Sequence, residues 1–126
     1  MRGNIVQVKD LNEAKQEIEK INVNPVGVTI MAFKAIHRLV KFKNVDSKTA
    51  NIIKQEMLSR GGDAAVSRDV ASFKGELTDM IIMGTLAQYI RLIRKLKYQP
   101  YDCQKVAKEI EELLFRDINI SKAPVW

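Results

Sequence analysis

The sequence predicts an α+β domain, with α/β as the neighbouring option. It would be a single layered unit whose central mixed sheet of about four to five strands is covered by about four helices. Two observations carry this reading. Apolar stripes at helical spacing alternate along the chain with short β-branched runs. The chain also has 126 residues, the length of one domain. A chain of that size buries about two-thirds of its unfolded surface and needs neither disulfides nor metal to fold.

Ile5-Val6-Gln7-Val8 reads as a short strand. Asp10 follows as an N-cap with Glu13 three residues on, a capping-box pattern. Leu11, Ala14, Ile18 and Ile21 then mark a helix over about 11–21, stopped by Asn22 and Pro25. Residues 28–33 are apolar and β-branched behind Gly27, and read as a strand. Residues 35–45 alternate and suit a half-exposed strand, with a helix over 32–42 as the competing option.

Asp46-Ser47 is a second N-cap signal. Ala50, Ile53 and Met57 form the stripe of a helix over about 48–60, and Gly61 sits where a left-handed C′ residue belongs. A strand is expected over 63–71. Another is expected at Met80-Ile81-Ile82-Met83, whose continuous apolar run suits burial on both faces. Gly84-Thr85 turns into a helix carrying Leu86, Ile90 and Ile93. Pro100 breaks it, and Asp102 caps a last helix with Cys103, Val106, Ala107, Ile110, Leu113 and Leu114 on its stripe. Residues 1–116 form the expected domain, and 117–126 a linker or docking tail that ends in Trp126.

One Cys and one His exclude a disulfide framework and a structural zinc site built from this chain alone. The length excludes a complete (β/α)8 barrel, which takes about 250 residues. No apolar run approaches the roughly 18 residues of a membrane span and no signal-like segment opens the chain, so a cytoplasmic protein without membrane contact is expected. The formal charge is +6, which permits an anionic partner without requiring one.

Candidate chemistry is sparse. His37 is the only histidine, and no partner constellation for acid–base work accompanies it. Cys103 could be dipole-activated one turn into its helix, but its stripe neighbours make it a small buried hydrophobe. Arg91, Arg94 and Lys95 share a helix face, a candidate anion contact set against an ordinary solvated face. No nucleic-acid motif accompanies them, so nucleic acid is not expected as a partner. Gly84-Thr85 and Gly61-Gly62-Asp63 read as tight turns before ligand loops. Arg68 with Asp63 or Asp79 would be the core of a small independent enzyme, the weakest of these readings.

A longer pattern says more. Residues 50–59 run into Gly61-Gly62-Asp63-Ala64-Ala65-Val66-Ser67-Arg68. Thr78-Asp79-Met80-Ile81-Ile82-Met83-Gly84-Thr85 follows, then Gln88, Leu96 and Gln99-Pro100. This succession, over roughly residues 24–115, resembles the N-terminal extension that precedes the catalytic barrel in clostridial-type dihydropteroate synthases. The resemblance implies a non-catalytic accessory domain of an enzyme that joins 4-aminobenzoate to a dihydropterin pyrophosphate in folate biosynthesis. It implies no cofactor and no catalytic residue in this segment. It implies a barrel as partner in cis or in trans, and a homodimer as a further option. Asn51, Lys54, Gln55, Asp63, Arg68, Asp79 and Gln88 are then candidate contact residues. The alternative is a stand-alone module that binds an anionic ligand or nucleic acid through its basic helix face.

Overall fold

The computed structural model describes residues 1–71 and 76–126, with the backbone alone at 70 and 71. In chain order the elements are α1 (Leu11–Glu19), α2 (Pro25–Ala35), β1 (His37–Asp46), α3 (Ser47–Leu58), β2 (Asp63–Val66), the four-residue α4 (Arg68–Ala71), β3 (Leu77–Thr85), α5 (Leu86–Leu96) and α6 (Cys103–Asp117). The class is α+β, as the sequence predicts.

The three strands described lie in the order β1-β3-β2, and both neighbours pair antiparallel with β3. The sheet is therefore smaller than expected and antiparallel where a mixed sheet was expected. β1 and β2 run the same way with β3 inserted between them, and α3 makes the crossover, a split βαβ unit.

Each departure from the sequence reading has a local cause. Residues 28–33 belong to α2, a helix and not a strand. Pro25, read as a stop, is the first residue of α2, behind an Asn24 side chain that accepts from Val26 N at 3.0 Å. Val28, Ala32 and Phe33 bury its inner face. Residues 5–8 form no strand. They pair with none of the described strands, and of these four residues only Val8 packs against the core. The strand expected over 63–71 ends at Val66, where Ser67 N bonds the Thr78 hydroxyl at 3.0 Å and α4 begins. Asp102 makes no side-chain cap on α6. Its own N–H donates to Thr49 Oγ1 at 3.1 Å.

The inner face of the sheet carries Val40, Val45, Ala64, Met80 and Ile82, all buried under α3 and α5. α2 and α6 flank α5, and α1 packs on α2. Tyr89 of α5 is fully buried. Its hydroxyl lies 2.9 Å from Arg38 O and 2.8 Å from Ile82 O and donates between these carbonyls of β1 and β3. Burial drives its pKa above the ordinary phenol value, so it stays a donor.

α3 and α5 are tied by one joint. α3 ends in a Schellman turn, with Gly62 N bonded to Met57 O and Gly61 N to Leu58 O, each at 3.0 Å, and Gly61 at φ 88°. A Cβ on Gly62 would lie 2.7 Å from Met83 O, and one on Gly84 would strike Met57 Cε. The Met57 side chain thus occupies the space these two glycines leave. Gln88 completes a capping box with Thr85 and donates from Nε2 to Arg60 O at 2.9 Å, joining the start of α5 to the end of α3.

Two clasps close the periphery. The Arg38 guanidinium donates to Asp117 Oδ2 at 2.7 Å, to its own neighbour His37 O at 3.0 Å and to Lys9 O at 3.0 Å. After α6 the chain returns across α5. Arg94 Nη2 donates to Pro124 O at 2.6 Å, and Trp126 meets Phe33 edge-on at 5.1 Å and 85°.

Three outcomes follow from this packing. Gly62→Ala lowers stability by about 1–3 kcal/mol because the obstructing Met83 oxygen is backbone, whereas Gly3→Ala, with nothing near it, changes the urea midpoint little. Asp46 caps α3 through Thr49 N at 2.9 Å, and Asp46→Ala costs about 1 kcal/mol. Burial alone would raise the Asp46 pKa, but the bonds from Thr49 and Lys48 outweigh it and the net shift is downward from 3.8. The cap's contribution is therefore present above that pH and fades as pH falls through the lower folded value, as urea melts at several pH values will report. Trp126, the single tryptophan, is less quenched by acrylamide in the native chain than in urea, and Arg94→Ala raises the native quenching.

Candidate interaction surface

Among the described residues, α3 and α5 pack on one side of the sheet, and α6 reaches only its β1 edge, where Leu113 and Leu114 border a hollow with Leu39. The register sets what the sheet's other face carries. Leu39, Met83 and Asp63 form one row across the three strands, and Lys41, Ile81 and Ala65 the next. Leu86 N bonds Ile36 O at 2.9 Å, so Ile36/Leu86 is a hydrogen-bonded pair. Alternation then makes Leu39/Met83 and Lys41/Ile81 non-hydrogen-bonded pairs, whose side chains approach most closely. Leu39 is 64% exposed, while Ile81 and Met83 are half-buried. A shallow hollow of about 210 Å³ lies along Lys41, Ala65, Asp79 and Ile81.

The polar residues singled out in the sequence fall into three groups. Lys54 and Asp63 meet between α3 and β2, and Gln88 stands at the α3–α5 joint. Lys54 Nζ donates to Asp63 Oδ1 at 3.1 Å and to Ala64 O at 2.7 Å, and Asp63 Oδ1 also accepts from Ala64 N at 2.7 Å. The Ala64 N–H first, and then Lys54, hold the Asp63 carboxyl below its ordinary pKa, so it stays an acceptor. Asn51 and Gln55 lie on α3, half-buried and exposed respectively, and Arg68 opens α4. Asp79 is spent on the backbone. Its Oδ1 accepts from Asn44 N at 3.2 Å where β1 bulges between Phe42 and Val45.

The basic stripe is elsewhere. Arg91, Arg94 and Lys95 are exposed on the outer side of α5, and Arg94 holds the tail. The cleft of about 500 Å³ along α6 is lined by Lys97, Lys108, Glu111 and Glu112, with Lys97 paired to Glu111 at 3.4 Å. Its charge is mixed, so it offers no concentrated anion site.

His37 is exposed opposite Thr85 at the start of β1. Cys103 is fully buried. Burial first, and then the charges of Asp46, Asp102 and Glu56, push its thiol up to about 11, so it is protonated at neutral pH and packs as a small apolar group. Among the described residues no group of three His, Cys, Asp or Glu is placed to hold a metal ion, and no helix is long and apolar enough to cross a membrane. What the arrangement offers is a surface. The residues at its centre, Leu39, Ile81 and Met83, are not among the candidate contact residues that the sequence offers. The available signal was the unbroken run Met80–Met83, which is not the polar-out alternation of an antiparallel strand with one wet face.

No protein-family model matches the chain, and no solved structure does. Curated relatives do. The chain is 37% identical over 107 residues to a probable bifunctional folylpolyglutamate synthase/dihydropteroate synthase of Halobacterium salinarum, covering 85% of this chain and 13% of that protein. It is 36% identical over 107 residues to the protein of the same description from Haloferax volcanii, covering 84% of this chain and 12% of that protein. It is 29% identical over 109 residues to a bifunctional dihydropteroate synthase/dihydropteroate reductase of Helicobacter pylori, covering 85% of this chain and 29% of that protein. The chain thus spans less than a third of each of these relatives. Most of it, 84–85%, is similar to part of bifunctional proteins whose shared activity, by their descriptions, is dihydropteroate synthase.

Proposed function

We propose that this chain is a non-catalytic accessory domain of a dihydropteroate synthase, set N-terminal to the catalytic barrel as in the clostridial-type proteins it resembles, and that it packs on that barrel. The observation that carries the reading is the match of 85% of the chain to a small segment of relatives that differ in their second activity and share this one. The polar residues of the matched stretch support it. Lys54 and Asp63 tie α3 to β2, and Gln88 ties the start of α5 to the turn after α3. None stands with a nucleophile or a base in a closed cleft, the arrangement that acyl, phosphoryl or pterin-transfer chemistry demands. The domain supplies a scaffold and a surface, while the pterin and aminobenzoate sites belong to the barrel.

The test has two arms. The purified 126-residue chain, given 4-aminobenzoate and the dihydropterin pyrophosphate, forms no dihydropteroate. A synthase that carries this region keeps its chemistry when the region is deleted, with a lower thermal midpoint. Turnover by the isolated chain overturns the proposal. So does a fall in kcat of about 10²–10³ on deletion with the remainder still folded, the size expected on losing a group that stabilises the transition state.

A further inference from the structure

We infer that the outer face of the sheet, centred on Leu39, Ile81 and Met83, is the surface on which the catalytic domain of the longer synthase sits. This rests on the accessory-domain reading above and adds to it the place and the chemistry of the contact.

The face is wrong for water in one specific way. A one-sided antiparallel sheet puts polar side chains outward at alternate positions. In β3 the outward positions at the centre of the sheet are Ile81 and Met83. Their partners across the strands include Leu39 on β1 and Ala65 on β2. These four side chains are contiguous because the two rows are neighbours and the β1–β3 pairs are the closely spaced kind. The rim is polar and differs from side to side. Along β1 stand His37, Lys41 and Lys43, while at β2 the Lys54–Asp63 pair is neutral. The partner's matching surface is an apolar ridge flanked, on the β1 side, by carboxylates.

Size chooses the occupant. With strands about 4.8 Å apart and about 3.4 Å per residue along each, two rows across three strands cover roughly 200 Å². A free complex needs about 800 Å² from each partner. A covalently attached neighbour is not under this restriction, because its effective concentration reaches the millimolar range. In the relatives this region is joined to the rest of a chain of which it makes up 12–29%.

Hydroxyl-radical footprinting tests this. The 126-residue chain is compared with the full-length synthase that carries it. Met83 is expected to be several-fold less reactive in the full-length protein, with Met31, exposed on α2, unchanged. Leu39→Glu, at an exposed position that leaves the core intact, returns Met83 to the reactivity of the isolated domain, and Arg91→Glu does not. Protection at Met31 or Tyr98 with Met83 unchanged overturns this surface and leaves the accessory-domain reading standing. Concentration-dependent protection of Met83 in the 126-residue chain alone makes the occupant a second copy and overturns the inference. Unchanged reactivity throughout the domain overturns docking altogether, and with it the packing on the barrel.

Discussion

The Met57 side chain lies where α3, β2, β3 and α5 converge, and it fits there only because Gly62 and Gly84 carry no side chain. Protein interiors are close-packed, so a space of this shape admits one arrangement of the backbone around it. With Met57 seated, the Schellman turn aims β2 alongside β3, and Gln88 holds the start of α5 against Arg60 O. The sheet's inner face is then covered by α3 and α5, while its outer face keeps Leu39 exposed and Ile81 and Met83 half-buried. The turn glycines, the capping box and the central strand are thus parts of one construction.

That construction accounts for the polar residues. Conspicuous lysines, aspartates and glutamines invite a functional reading. Here most of them satisfy backbone groups. Lys54 reaches Ala64 O, Asp79 receives Asn44 N at the bulge, Gln88 spans Thr85 N and Arg60 O, and Arg94 binds Pro124 O. A buried carbonyl or amide left unpaired costs about 1–3 kcal/mol, so such tasks are sufficient reason for these residue types. On the outer face of the sheet the apolar side chains Leu39, Ile81 and Met83 have no such task.

The helices were legible where a cap and a stripe agreed. α1 starts at Asp10, α3 at Asp46 and α5 at Thr85, each with a side chain bonded to a backbone N–H three residues on. α2 is hidden in the sequence because its apolar run is β-branched and its Asn24-Pro25 start reads equally as the end of α1. The decisive fact was burial of Val28, Ala32 and Phe33 on one side, which composition does not display. Residues 5–8 illustrate the converse. They have strand composition, yet a strand needs a neighbour with free backbone groups in the right place, and Arg38 holds Lys9 O through its side chain instead. The candidate surface was illegible for the same reason, since it is made by register across three strands.

By itself the sequence determined the local chemistry: where α1, α3, α5 and α6 lie, which residue enters αL at the end of α3, and that Cys103 lies on an apolar stripe. These depend on interactions between residues a few positions apart, and their signals are written in short windows. Only the tertiary structure decided the strand number and order, the use of Gly62 and Gly84 as the seat for Met57, and which face of β3 lies under α3 and α5. Those depend on contacts between residues tens of positions apart. A strand's alternation tells its two faces from each other, but not which of them a helix will cover.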